Sequence, residues 1–176
     1  MDALIIKGPA KLSGRVEVSG SKNAALPMLF ASLLFDKPIQ FENVPRLWDI
    51  ETTRKILNEM GAHTEWQKDE GRVLIDPKIQ HKVAPYELVR QMRAGILALG
   101  PLVAKYGEAR VSLPGGCAIG ARPVNYHLEA MRKMGCSLNN AYMQHSLLAL
   151  VVIPELRISD VGLVDVTTFT KVDLFL

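Results

Sequence analysis

The sequence is short of the features that mark several familiar chemistries. Cysteine occurs only at Cys117 and Cys136. Neither the C-x-x-C spacing of a zinc or dithiol site nor a nearby pair of histidines accompanies them, so metal and redox-pair chemistry have little support. No cofactor is implied. So few thiols fit a reducing compartment, and a cytoplasmic location is the simplest expectation. The amino terminus lacks the basic stretch and long apolar core of a secretory signal. The longest apolar run, Leu147 to Ile153, falls far below the roughly 20 residues of a membrane span, so no membrane insertion is expected. Lysine and arginine are scattered among acidic residues to a net charge of +3. That offers no nucleic-acid surface and leaves phosphate-bearing small ligands open. There is no Walker A motif, and Gly115 to Gly120 has the wrong glycine spacing for a dinucleotide fingerprint. His63, His81, His127 and His145 lie in contexts that suit surface or packing histidines better than catalysts.

What is present describes a folded α/β chain. Apolar residues make up 48% and charged residues 22%, a balance that argues against disorder. Short strands are predicted at Leu4 to Ile6, Arg15 to Val18, Ile39 to Phe41 and Val73 to Ile75. Helices are predicted after Lys22, from Ile50 to Met60, and from Tyr86 to Ala104 with an interruption at Gly100-Pro101. The first of these is apolar on nearly every face, which predicts burial, and Pro27 is tolerable only in its first turn. A weak internal repeat runs strand, proline turn, helix, glycine stop: Val44-Pro45 to Met60-Gly61-Ala62, then Leu113-Pro114 to Met134-Gly135-Cys136. The interval from Pro114 to Met134 is longer than that from Pro45 to Met60, and the extra residues fall around Cys117. A connection that outgrows its structural equivalent is more often functional than structural.

Three stretches can carry chemistry, each with a plainer alternative. Leu113 to Pro123 sets Cys117 among Gly115, Gly116 and Gly120, with Arg122 close behind. Little side-chain bulk surrounds the thiol, and a neighbouring cation favours the thiolate; a glycine turn with an incidental cysteine is the competing reading. Ser19-Gly20-Ser21-Lys22-Asn23 leads into a helix N-terminus, where backbone N–H groups, the helix dipole and Lys22 favour an anion. Simple capping by Ser21 or Asn23, with Lys22 in solvent, explains the same residues. Arg93 lies near an apolar helical stripe and is either a ligand contact or a surface arginine whose stem packs on the helix.

Together, Ser19 to Pro27, Met92-Arg93-Ala94 with Leu99 to Ala104, and Leu113 to Val124 resemble the UDP-N-acetylglucosamine 1-carboxyvinyltransferases, from about Met1 to Ser137. Ser21 stands where that family often has alanine. The resemblance implies an inside-out α/β barrel, here an incomplete first domain with roughly two strand-helix repeats. It also implies transfer of the enolpyruvyl group of phosphoenolpyruvate to the 3-hydroxyl of UDP-N-acetylglucosamine, releasing phosphate, the first committed step of peptidoglycan synthesis. Cys117 matches the family's proton donor, the residue that fosfomycin alkylates. Lys22, Arg93 and Arg122 match cations around the phosphoenolpyruvate and phosphate, with Lys22, Asn23 and Arg122 assigned to phosphoenolpyruvate. Arg93, Arg122, Pro123, Val124, Asn125 and Tyr126 match contacts to UDP-N-acetylglucosamine. In the family the N-terminal strands, here 1–21, pair with the second domain. Residues 22–137 are expected to form a partial transferase domain and 138–176 a divergent tail, as from a truncated or frameshifted gene. The alternative function is a non-catalytic remnant that binds a nucleotide sugar or phosphate weakly at most.

Overall fold

The computed structural model describes residues 3–9, 11, 13–16, 18–112, 124–143 and 146–152, the last twelve of these (139–143 and 146–152) by backbone alone. Its elements are α1 (Lys22–Ala31), which runs on into a 3₁₀ turn (Ser32–Leu34), β1 (Ile39–Phe41), α2 (Trp48–Glu59), β2 (His63–Gln67) and β3 (Arg72–Asp76). After them come β4 (Val83–Ala84), α3 (Tyr86–Val89), a 3₁₀ helix (Arg93–Ala98), α4 (Leu99–Tyr106), β5 (Glu108–Ser112), α5 (Asn125–Lys133), β6 (Ser137–Met143) and β7 (Ser146–Val152). Among the described residues no helix is long and apolar enough to cross a membrane.

Two units repeat one topology. In the first, β1, α2 and the hairpin β2–β3 form an antiparallel sheet of order β1-β3-β2. In the second, β5, α5 and the hairpin β6–β7 give β5-β7-β6, with β4 added in parallel at the β5 edge. The helices stop alike. The Gly61 N–H donates to the Asn58 carbonyl and the Ala62 N–H to that of Leu57; Gly135 and Cys136 donate in the same way to Arg132 and Met131. This doubled bond satisfies the last helical carbonyls and needs a positive φ at the glycine, which is 105° at Gly61 and 92° at Gly135. Cys136 is thereby turned inward beside the Met131 sulfur, and burial pushes its thiol pKa up.

The core forms where α1, α2 and α4 meet the inner faces of the sheets. Leu29, Phe30 and Leu33, then Ile50, Ile56 and Leu57, then Leu99 and Leu102 are fully or almost fully buried with Val73, Ile75 and Val111. Alternation along β3 sends Val73 and Ile75 inward and Arg72 and Leu74 outward. Arg54 staples α2 to β2 by donating to Glu51 at 2.8 Å and to the Thr64 carbonyl at 3.0 Å while lying over the Trp66 ring.

Four expectations need correction. Leu4 to Ile6 and the described part of Arg15 to Val18 are not strands: Leu4, Ile5, Ile6, Val16 and Val18 are exposed, and no described strand pairs with them, without which a strand has no ladder. Pro27 sits in the interior of α1 rather than its first turn, leaving the Asn23 carbonyl without the bond a residue-27 N–H would give. The helix is also not buried all round, since Ala24 and Met28 face solvent. Finally, Tyr86 to Ala104 breaks not at Gly100-Pro101, which fall in the first turn of α4, but at an extended Met92. There the chain folds back so tightly that a Cβ on Gly95 would lie 2.9 Å from a Val89 methyl carbon.

Candidate functional site

The site is best built from α2, which supports two of the predicted cations. Asp49 and Thr53 are four residues apart and therefore share a face of that helix. Asp49 lies in the first turn, where the helix dipole favours a carboxylate, and it accepts from Lys22 Nζ at 2.8 Å, both side chains being partly exposed. Thr53 is fully buried and points its hydroxyl at the Met92 sulfur, 3.8 Å away, directly beside Arg93. The 3₁₀ helix that opens with Arg93 packs on α1. Lys22 and Arg93 thus stand on two elements that α2 holds in register.

Lys22 and Asn23 are the first two residues of α1 and both are exposed. Neither expected cap is formed: Ser21 has extended backbone but makes no side-chain cap bond. Its carbonyl accepts from Ala25, and the N–H groups of the first turn, lacking intrahelical acceptors, remain for an anion. The approach to this turn is rigidly set. The Gly20 N–H donates to Asn43 Oδ1 at 3.0 Å, and a Cβ on Gly20 would lie 1.7 Å from the Asn43 carbonyl oxygen. Asn43 itself holds a left-handed φ of 55°. A cavity of about 160 Å³ opens beside this contact, between the α1 face of Ala24, Ala25 and Met28 and the chain at Phe41 to Val44.

Of the remaining predicted residues, Val124 is the buried N-cap of α5, and Asn125 and Tyr126 form its exposed first turn. Cys117, Arg122 and Pro123 lie outside the described residues, as does His145. His63 is exposed and faces Glu65 at 3.2 Å, and His81 and His127 are also exposed. Sequence reasoning missed Asp49 and Asn43. An acid in the first turn of a helix was the available signal for Asp49; nothing local marks Asn43 as left-handed.

Residues 6–167 match the model of the EPSP synthase (3-phosphoshikimate 1-carboxyvinyltransferase) family, and the chain belongs to that family of carboxyvinyl transferases. Within it, the chain is 54% identical over 145 residues to the UDP-N-acetylglucosamine 1-carboxyvinyltransferase of Oleidesulfovibrio alaskensis, covering 81% of this chain and 34% of that protein. It is 52% identical over 139 residues to the protein of the same name from Photorhabdus laumondii, covering 78% and 32%. The chain therefore spans about a third of the length of the curated relatives it matches. The fold is also that of the enolpyruvyl transferase NikO from Streptomyces tendae, with a TM-score of 0.66 at 22% identity over 85% of this chain and 32% of that one. The EPSP synthase of Acinetobacter baumannii gives 0.55 at 16% identity over 79% and 32%. The architecture is accordingly the α+β fold of enolpyruvyl transferases with an incomplete domain. The family match runs on beyond Ser137, the first residue of β6.

Proposed function

We propose that this chain carries part of the active site of a UDP-N-acetylglucosamine 1-carboxyvinyltransferase, acting in the cytoplasm on a precursor of the cell wall. In this reading the Cys117 thiol gives a proton to the methylene carbon of phosphoenolpyruvate while the 3-hydroxyl of the sugar releases its own proton to a general base and bonds through oxygen to the neighbouring carbon. Loss of phosphate and of a methyl proton from the adduct then yields the enol ether. A thiol suits the first step because its acidity can be tuned by a neighbouring cation, so the same group can release and regain a proton. Lys22, Asn23 and Arg122 hold the phosphoenolpyruvate, and Arg93, Arg122, Pro123, Val124, Asn125 and Tyr126 the nucleotide sugar. Fixed cations stabilise the charge that grows on the departing phosphate. The observation that carries the reading is the uncapped first turn of α1, with the Lys22 ammonium held at its mouth by Asp49 at 2.8 Å. Residues 1–21, 22–137 and 138–176 remain the proposed divisions of the chain.

The alternative reading is a non-catalytic remnant that binds a nucleotide sugar or phosphate weakly at most. Phosphate release from phosphoenolpyruvate by the 176-residue chain decides between them. The enzyme reading expects release that requires UDP-N-acetylglucosamine and vanishes in Cys117→Ser. Intact mass after fosfomycin adds a test of the site: the expected result is one adduct at Cys117, formed only with the nucleotide sugar present. Indiscriminate or absent labelling, together with no phosphate release, leaves the remnant.

A further inference from the structure

Lys22 stands where its own helix resists it. It opens α1, and the positive end of a helix dipole favours an acid over an ammonium in the first turn. No acidic residue occupies that turn and no side chain caps it. The compensating charge comes from another element. Asp49 Oδ2 lies 2.8 Å from the Lys22 ammonium, while Glu51, the other acid in the first turn of α2, is taken by Arg54 at 2.8 Å. Asp49 is well anchored for this. Its neighbour Ile50 is fully buried, and its carbonyl accepts from the hydroxyl of the fully buried Thr53 at 2.9 Å. Lys22, by contrast, reaches Asp49 on a flexible four-carbon stem from the exposed end of α1.

The pairing leaves the place electropositive. Asp49 balances one unit of charge, and neither α1 nor α2 has a side-chain cap on the N–H groups of its first turn. An anion that meets a free lysine must order the side chain on arrival, and that ordering is subtracted from affinity. A stem already held by a fixed carboxylate is ordered beforehand. Resting on the function proposed above, the anion is the phosphate group of phosphoenolpyruvate. We propose that Asp49 is a positioning residue for the transfer: its carboxylate holds the Lys22 ammonium where α1 packs on α2, so that the phosphate is received by a cation already in place. An ammonium has three donors, so the bond to Asp49 leaves two for phosphate oxygens.

Asp49→Asn and Asp49→Ala separate this role from that of charge alone. Both delete the carboxylate's repulsion of an incoming anion, and only asparagine keeps an oxygen for the ammonium. Calorimetric titration of the 176-residue chain with phosphoenolpyruvate is expected to show Asp49→Asn binding about fivefold more tightly than Asp49→Ala, the upper range for a partly exposed pair. Carbon relaxation at Lys22 Cε, assigned by its loss in Lys22→Arg, is expected to show a more mobile stem in Asp49→Ala than in wild type, with Asp49→Asn between them. An acid that served only the stability of α2 would leave that stem unchanged. Both measurements are made well below the thermal midpoint of each variant, so that loss of fold does not enter them. Equal affinity of the two variants, or equal Lys22 mobility in wild type and Asp49→Ala, overturns the assignment and leaves the proposed function standing. Failure of the wild-type chain to bind phosphoenolpyruvate removes that function, and the role of Asp49 in it.

Discussion

Alanine at Gly20 should dislocate the Lys22 site, and the structure sets how far. The added Cβ would stand 1.7 Å from the Asn43 carbonyl oxygen, against about 3.0 Å for the closest real contacts, so roughly 1.3 Å must be found. Asn43 has little to give: its φ is already 55°, and the Val44 N–H is bonded to the Gly71 carbonyl at 2.8 Å. If the loop gives way, overpacking and the lost Gly20–Asn43 bond together cost about 1–3 kcal/mol. If instead the exposed chain before α1 swings out, stability holds and the first turn of the helix shifts. A displacement of about 1 Å at a positioned group lowers reactivity by around a hundredfold. Urea denaturation reads the first outcome, and titration with phosphoenolpyruvate, followed through backbone amide resonances of Lys22 and Asn23, reads the second. Stability and titration both unchanged in Gly20→Ala would refute the idea that this contact fixes the site.

The two helix-stop glycines should differ in tolerance. Gly135→Ala costs about 1–2 kcal/mol for the positive φ alone, whereas Gly61→Ala adds a Cβ 2.6 Å from the Gln80 nitrogen, which donates to the Met60 carbonyl, for about 1–3 kcal/mol more. Equal losses in urea denaturation would contradict that difference. Acid should weaken the fold through two surface pairs. Hydrogen bonds and charge from Lys82 hold the Glu108 carboxyl below its ordinary range, and Lys105 does the same for Asp36. A depressed folded-state pKa stabilises above the ordinary carboxylate value and loses that stability as pH falls through the folded one. The urea midpoint should therefore drop below about pH 4, and less steeply in Lys82→Met. Thiol alkylation at neutral pH should spare Cys136, whose burial raises its pKa, until denaturant is added. Peptide masses showing native labelling at Cys136 would overturn its inward placement.

The parts of the fold legible in the sequence are those where one local signal suffices. Ile39 to Phe41 is a strand, Val73 to Ile75 is the middle of another, and α2 ends at Gly61 as its periodicity requires. The repeat was visible because both helices close on Met-Gly followed by a small inward residue, the chemistry of one stop motif. β2 was not visible: in His63–Gln67 only Thr64 and Trp66 turn inward, and a buried threonine bonded to Asn58 does not register as apolar. The break at Met92 depends on how closely Gly95 approaches Val89, a contact that no propensity encodes. At the site, the small residues before Lys22 announced a helix start open to an anion. The partner that holds the ammonium could not be read, since it is brought there only by the packing of α1 on α2.

The matched units also bear on why the Cys117 segment should be functional. Each unit needs one connection from its first strand to its helix, and residues 42–47 make it between β1 and α2. That short connection is consumed by structure: Asn43 locks Gly20, Val44 is buried, and Arg46 donates to the Lys68 carbonyl at 2.5 Å. Residues 113–124 make the same link between β5 and α5, and the sheets they serve have the same order. Since the topology closes with the shorter link, the scaffold does not require the longer one, and the surplus is free to be selected for chemistry. The glycines and the cation that flank Cys117 lie in that surplus, which makes the proton-donor role of this thiol a stronger reading than that of Cys136, already committed to ending α5.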